Sequence, residues 1–186
     1  LFRSLARCVC VYGEAAAAPG ARAAVAARGR HAGTPPVPLQ WVAVRPATGE
    51  RFERLVGPAY AAPEAWHLAH LGLTREELAG GVAPAELAHD FAAFAGRGAV
   101  LLAWNQSTLD LALGLRATVD EAAFEVARPL KAVAASVLRR RPGTLDACVA
   151  ALGLPVDPTS ARGRAAERVA RCVAVARWLH ALGGSR

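Results

Sequence analysis

The stretch that decides the fold is Val100-Leu101-Leu102-Ala103-Trp104-Asn105-Gln106-Ser107-Thr108-Leu109-Asp110-Leu111. Its first five residues are apolar, which is typical of a strand covered on both faces. Ser107, followed by Asp110, can cap a new helix and put a carboxylate in its first turn. The pattern predicts an α/β sheet that carries Asn105 and Asp110 at the carboxyl end of a central strand, where such sheets usually place their sites. A turn at Asn105 and a plain helix cap would explain the same residues without any site.

The length of 186 residues suits one domain with its own core. No apolar run reaches about 18 residues, so we expect no membrane span. The chain begins Leu1-Phe2-Arg3 and contains no methionine. We therefore expect residues 1–186 to be a single domain cut from a longer protein.

The charge is strongly basic, at +7 from 22 basic and 15 acidic residues, and every basic residue except Lys131 is arginine. Arginine binds phosphate well, so the balance allows nucleic acid as a partner. A GC-rich genome, which enriches alanine and arginine together, would explain it equally. The cluster Arg139, Arg140 and Arg141 is a candidate nucleic-acid contact, or else a solvated helix end.

Two sets of residues could bind a metal, but their spacing gives little support for a metal site. His67 and His70 are three residues apart and could share a helix face, but no third ligand lies near them in sequence. The cysteines lack zinc-site spacing and predict buried thiols in a reducing, cytoplasmic compartment: Cys8, Cys10, Cys148 and Cys172. We expect no metal at either set.

Alternating and helical patterns along the chain predict an alternation of strands and helices. Strands are predicted at 8–12, 39–45, 51–56, 100–104 and 117–119. Helices are predicted at 63–71, after Thr74, and at 84–95, 109–115, 121–140 with a kink at Pro129, 144–152 and 162–182. Residues 15–38 are rich in alanine, glycine and proline and predict an irregular or flexible insertion.

Five segments carry a family resemblance through their order and spacing. They are the hairpin Trp41-Val-Ala-Val-Arg-Pro-Ala-Thr-Gly-Glu50 with Phe52-Glu-Arg-Leu-Val-Gly-Pro58, then Leu71-Gly-Leu-Thr-Arg-Glu-Glu-Leu78, Ala103-Trp-Asn105 through Leu109-Asp110, Thr144-Leu-Asp-Ala-Cys-Val-Ala-Ala-Leu-Gly-Leu154 and Gly163-Arg-Ala-Ala-Glu-Arg-Val169. Together they resemble the DEDDh, proofreading type of 3′–5′ exonuclease. The resemblance implies an α/β, ribonuclease H-like three-layer fold, with helices around a mixed sheet of about five strands whose first three are antiparallel.

The departures from this family fall on its catalytic residues. Such exonucleases hold two divalent metals with four carboxylates, and a histidine acts as general base. The resemblance keeps Glu14 and Asp110 as remnant carboxylates, with Asn105 from the strand motif and one extra residue before Asp110. It assigns the two other carboxylate positions and the histidine position to residues of different chemistry: Tyr12, Arg168 and Gly163. An arginine at a metal position repels the ion.

These departures predict a catalytically inactive exonuclease-like domain. We expect it to bind single-stranded nucleic acid or a neighbouring domain within a larger RNA- or DNA-modifying protein, without a cofactor. One alternative is an active exonuclease that uses Mg²⁺ or Mn²⁺ at a different site around Glu14, Asp110 and Asp120. Another is a purely structural or oligomerisation domain whose groove is filled by Trp104.

Overall fold

A five-stranded mixed sheet forms the middle layer. The computed structural model describes residues 4–15, 38–57, 65–119, 123–158 and 163–184. The strands are β1 (Cys8–Ala15), β2 (Pro38–Val44), β3 (Arg51–Leu55), β4 (Ala99–Leu102) and β5 (Phe124–Val126). Their order is β3-β2-β1-β4-β5, in which β1, β2 and β3 are antiparallel while β4 is parallel to both β1 and β5. The predicted α/β fold, with five strands and the first three antiparallel, is confirmed.

Helices cover both faces of this sheet. They are α1 (Ala65–Leu71), α2 (Arg75–Ala79), α3 (Pro84–Ala95), α4 (Gln106–Val119), α5 (Leu130–Leu138), α6 (Leu145–Ala151) and α7 (Arg164–Gly184). Successive side chains of a strand point to opposite faces. Val9 and Val11 accordingly pack with α3 and α4, whereas Cys10 and Tyr12 pack with α5, α6 and α7. No helix in these described ranges is long and apolar enough to cross a bilayer.

The fifth strand lies later in the chain than predicted. Residues 117–119 belong to α4, whose apolar positions stay buried at helical spacing through Leu115. Strand β5 instead places Phe124 opposite Ala99, with Phe124 only 1% exposed. The predicted helix over 121–140 therefore begins only at Leu130, with Pro129 as its N-cap, where a proline costs no helical hydrogen bond.

Two of the predicted helix caps are present in the structure, and a third is not. Thr74 forms the expected capping box with Glu77, and the Thr144 hydroxyl accepts the amide of Ala147 at 3.1 Å. The Ser107 cap is wrong, because α4 already begins at Gln106. Asp110 then falls beyond the first turn, which contains no acidic residue.

The predicted insertion is bounded by paired strand ends. Ala15 at the end of β1 pairs with Pro38 at the start of β2, so both residues belong to the sheet and not to an irregular segment. A proline is tolerated at the first residue of a strand. Residues 16–37 lie outside the described part of the chain.

Candidate functional site

The end of β1 presents two polar side chains toward α7. Tyr12 and Glu14 lie on the same face of the strand, and both are about nine-tenths buried. Gly13 between them faces the other side, where an added Cβ would lie 2.6 Å from the Trp41 ring. A glycine is therefore required there, since the buried indole fills the space that a side chain would need. The close packing fixes the direction in which Glu14 points.

Glu14 is surrounded by positive or potentially positive groups. The Nε atom of Arg164, at the start of α7, lies 3.7 Å from its Oε1 atom. Burial raises the pKa of Glu14, and Arg164, Arg168, His70 and His67 partly offset that rise. Asp110, the other remnant carboxylate, is not among these electrostatic neighbours. The carboxyl group thus has cations around it instead of a second acid.

Arg164 also joins α7 to α1. Its Nη1 atom lies 2.6 Å from Nε2 of His70. Because a guanidinium group can only donate, Nε2 is the acceptor, and any proton on the ring of His70 in this contact is on Nδ1. Arg164 therefore bridges His70 and Glu14, although sequence analysis assigned a role to neither Arg164 nor His70 in this cleft.

Tyr12 is covered by a second arginine. The guanidinium carbon of Arg168 lies 5.9 Å from the centre of the Tyr12 ring, within the range of a cation–π contact. Arg168 also pairs with Asp146 at 3.8 Å, and Arg171 binds the same carboxylate at 3.0 Å. Burial raises the pKa of Tyr12, with Glu14 adding to the rise and the two cleft arginines opposing it.

Gly163 lies directly before α7 in a backbone conformation that favours glycine. Its φ is +87°, and an added Cβ would lie 3.1 Å from the Leu71 carbonyl oxygen and 3.4 Å from Oε1 of Gln40. A histidine here would need both a strained φ and a shift of the neighbouring backbone. The position that the resemblance gives to a general base is thus closed to a side chain.

Gln40 is a buried polar residue that sequence analysis missed. It pairs with Glu14 across β1 and β2, is 1% exposed, and donates from Nε2 to Oε1 of Glu53 at 2.8 Å. Within the described ranges its own Oε1 has no hydrogen-bond partner, and the same is true of Oε1 of Glu14. A glutamine in an otherwise apolar strand is the signal that could have found it, because buried polar groups need a reason.

Within the described ranges, the other predicted site residues form no hydrogen bond or ion pair with Tyr12, Glu14 or Arg168. Asp110 is exposed on α4, and its Oδ1 accepts a hydrogen bond from Gln106 at 2.9 Å. Asn105 is exposed at the end of β4 and lines a groove with Trp104. Asp120 lies outside the described residues. The structure therefore brings Tyr12, Glu14 and Arg168 together, and leaves Asp110 without a contact to them.

Neither histidine forms a metal cluster in the described ranges. The His67 ring stacks on Trp66, with centroids 5.3 Å apart, while His70 faces Arg164. No group of three or more His, Cys, Asp or Glu residues there could hold a metal ion. All four cysteines are buried free thiols, as expected.

The arginine cluster is divided by the end of α5. Arg139 is the C-cap with a left-handed backbone, at φ 52° and ψ 28°. All three arginines are exposed, but only Arg141 lines the groove beside Trp104 and Asn105. Their predicted contact with nucleic acid stays a prediction.

The known proteins that match this chain do so through their solved structures. No protein-family model and no curated protein matches the chain. Exonuclease X in complex with 5′-overhanging duplex DNA is 14% identical, with a TM-score of 0.62 over 95% of this chain and 93% of that one. E. coli Exonuclease I with a dA16 oligonucleotide is 14% identical, with a TM-score of 0.65 over 94% of this chain and 40% of that one.

A third similar structure is a 3′-exonuclease that recognises the 3′ end of a histone mRNA stem-loop. It is 12% identical, with a TM-score of 0.63 over 94% of this chain and 63% of that one. Likeness at this level of identity establishes architecture, since one fold can carry many functions. The chain therefore has an exonuclease-like, ribonuclease H-like fold.

Proposed function

We propose that this chain is a non-catalytic exonuclease-like domain that binds single-stranded nucleic acid. The lack of catalytic activity is supported by the two arginines in the cleft. Arg164 lies against Glu14, and Arg168 lies over Tyr12. In the family that the sequence resembles, this cleft would hold divalent metals through carboxylates.

The residues present do not fit a divalent metal. Mg²⁺ needs near-octahedral oxygen coordination and usually takes one or two carboxylates. Among the described residues Glu14 is the only buried acid, and the Arg164 and Arg168 guanidinium groups lie near it. Positive groups at this distance repel a cation strongly in a partly buried cleft. No reaction step is therefore assigned to a metal.

The general-base position supports the same conclusion. Gly163 has no ionisable group, and its backbone leaves little room for one. His70 is nearby, but its Nε2 atom is occupied by Arg164. Among the described residues, the cleft therefore lacks the carboxylate cluster that metal-dependent hydrolysis of this type would use.

Nucleic-acid binding is supported by the net charge of the chain and by the DNA complexes of proteins that share its fold. The chain has a net charge of +7, which favours a polyanionic partner. Exonuclease X and Exonuclease I, which share the fold, are described in complexes with DNA. A groove of about 500 Å³ lies beside Trp104, which is itself only 2% exposed.

The test combines a nuclease assay with a binding assay. End-labelled single strands of DNA and RNA are incubated with the domain in Mg²⁺ or Mn²⁺, and binding is followed by fluorescence anisotropy over a range of salt. We expect strands of unchanged length and an affinity that falls with salt.

Two outcomes would overturn this proposal. Shortening from the 3′ end that is lost in Glu14→Gln or Asp110→Asn, but kept in the exposed control Glu125→Gln, would show an active enzyme. Absence of binding at low salt would leave a structural or scaffolding domain. Calorimetry with Mn²⁺ alone separates a missing metal site from a missing substrate site.

A further inference from the structure

Among the described residues, the cations that contact neither a carboxylate nor a backbone carbonyl are concentrated in one segment. Most arginines of the described ranges bind a carboxylate or a backbone carbonyl, as Arg54 does with Asp90 and Arg177 with Asp157. Within those ranges six cations have neither partner, and all except the first lie between residues 128 and 141: Arg75, Arg128, Lys131, Arg139, Arg140 and Arg141. Among the described residues, the cations without such a partner therefore lie mostly on and around α5.

Two of these cations line the same groove. The groove has a volume of about 500 Å³ and lies between the end of β4, the start of α4 and the first turns of α5. Lys131 and Arg141 line it, with Trp104, Pro129 and Pro142 as apolar walls and Asn105 as a polar group. A volume of this size is in the range of small-ligand sites.

Among the described residues, no acidic side chain lines the groove. Asp110, one turn into α4, accepts a hydrogen bond from the lining residue Gln106. Asp146, just after the lining residue Gly143, is already paired with Arg168 and Arg171. The groove therefore presents uncompensated positive charge next to apolar surface.

We propose that this groove holds the phosphate backbone of a single nucleic-acid strand, with Lys131 and Arg141 contacting phosphates. The inference rests on the proposed function and gives the bound strand a location. Two cations in one groove suit a chain of phosphates, and the apolar proline walls beside them suit sugars. A free mononucleotide offers the same phosphate chemistry at one position only.

The groove and the cleft around Glu14 are formed by different residues. The cleft is built from β1, α1 and α7, whereas the groove is built from the loops after β4 and α5.

The test measures anisotropy of labelled single-stranded DNA and RNA with the wild type and with Lys131→Gln, Arg141→Gln and their double variant. The matched control is Arg75→Gln, which removes an exposed, unpaired cation on α2. Each lost phosphate contact lowers the slope of log K against log salt by about 0.7, so the double variant loses about 1.4. That change weakens binding about 25-fold at 0.1 M salt, and we expect Arg75→Gln to keep the wild-type slope.

The outcomes separate this inference from the proposed function. If the wild type binds and the double variant keeps its slope and affinity, the groove is not the site, although the domain still binds nucleic acid. If the wild type does not bind, both proposals fail. Displacement of the labelled strand by a mononucleotide at equal phosphate concentration would replace the strand with a single-nucleotide site. Circular dichroism melting checks that each variant is folded.

Discussion

The Nε atom of Arg164 lies 3.7 Å from Oε1 of Glu14, so the first residue of the last helix neutralises the end of the first strand. The two residues are 150 positions apart, and the contact ties the helix layer to the sheet. At this distance the interaction is an ion pair without a hydrogen bond. It is partly buried, with the Glu14 side chain 11% exposed and that of Arg164 33% exposed, so that water screens it incompletely.

Arg164→Gln should destabilise the protein at neutral pH. Burial already raises the pKa of Glu14, and loss of the nearest cation raises it further. When the pKa of a carboxyl group is higher in the folded than in the unfolded protein, the free energy of unfolding decreases as the pH rises above the unfolded pKa. We expect a loss of about 1–2 kcal/mol at pH 7, which is smaller near pH 4, where the carboxyl is protonated. Urea unfolding at both pH values measures it.

The partner variant supplies the control for this pair. Glu14→Gln should reduce the cost of Arg164→Gln at pH 7, because no buried carboxylate is then left without its cation. Equal losses in both backgrounds and at both pH values would show that Arg164 acts through packing or through His70 alone.

Gly163→Ala should cost more than Gly49→Ala. Both glycines have positive φ, at +87° and +80°, but nothing lies within 4 Å of a Cβ added at Gly49. Gly49 therefore measures the backbone cost, of about 1 kcal/mol, and Gly163 adds the contact with the Leu71 carbonyl. Thermal unfolding of the two variants gives the difference. Equal costs would mean that the loop before α7 moves freely, which would reopen the position to a catalytic side chain.

Arg139→Gly should stabilise the domain. Arg139 is the one non-glycine with positive φ among the described residues, and it ends α5 in the left-handed region. Glycine adopts that conformation without the steric cost of a Cβ, so we expect a gain of up to about 1 kcal/mol. Arg140→Gly is the control, because it removes the same charge at a residue whose φ is not positive. A gain in both variants would point to relief of charge repulsion instead.

Stability should fall at alkaline pH through the buried thiols. Burial raises the pKa of Cys172 to about 12, with a smaller opposing effect from a hydrogen bond to the Trp104 backbone. Between an unfolded pKa near 9 and that value, only the unfolded chain loses the proton, so the free energy of unfolding decreases as pH rises. The slope is at most about 1.4 kcal/mol per pH unit for this thiol. Cys172→Ala should have a shallower slope in urea titrations from pH 9 upward; an unchanged slope would assign the effect to Cys10 or Tyr12.

Local sequence patterns predicted most of the elements. The capping box at Thr74, the amphipathic residues of α3 and the Thr144 cap act within a few residues, so the chain shows them directly. The misplaced fifth strand has a different cause. Phe124 becomes a strand residue because Ala99 lies opposite it, and that partner comes from a distant part of the chain.

The amino-acid sequence alone was enough to predict the α/β class of fold and the buried central strand, although β4 ends at Leu102 and not at the predicted Trp104. These follow from the order of apolar runs. Which charged groups meet depends on the folded chain, which brings Arg164 to Glu14, bonds Asp110 to Gln106, and puts Lys131 and Arg141 in one groove. Charges act through space over a few ångströms, and no sequence spacing encodes a distance between residues that folding brings together.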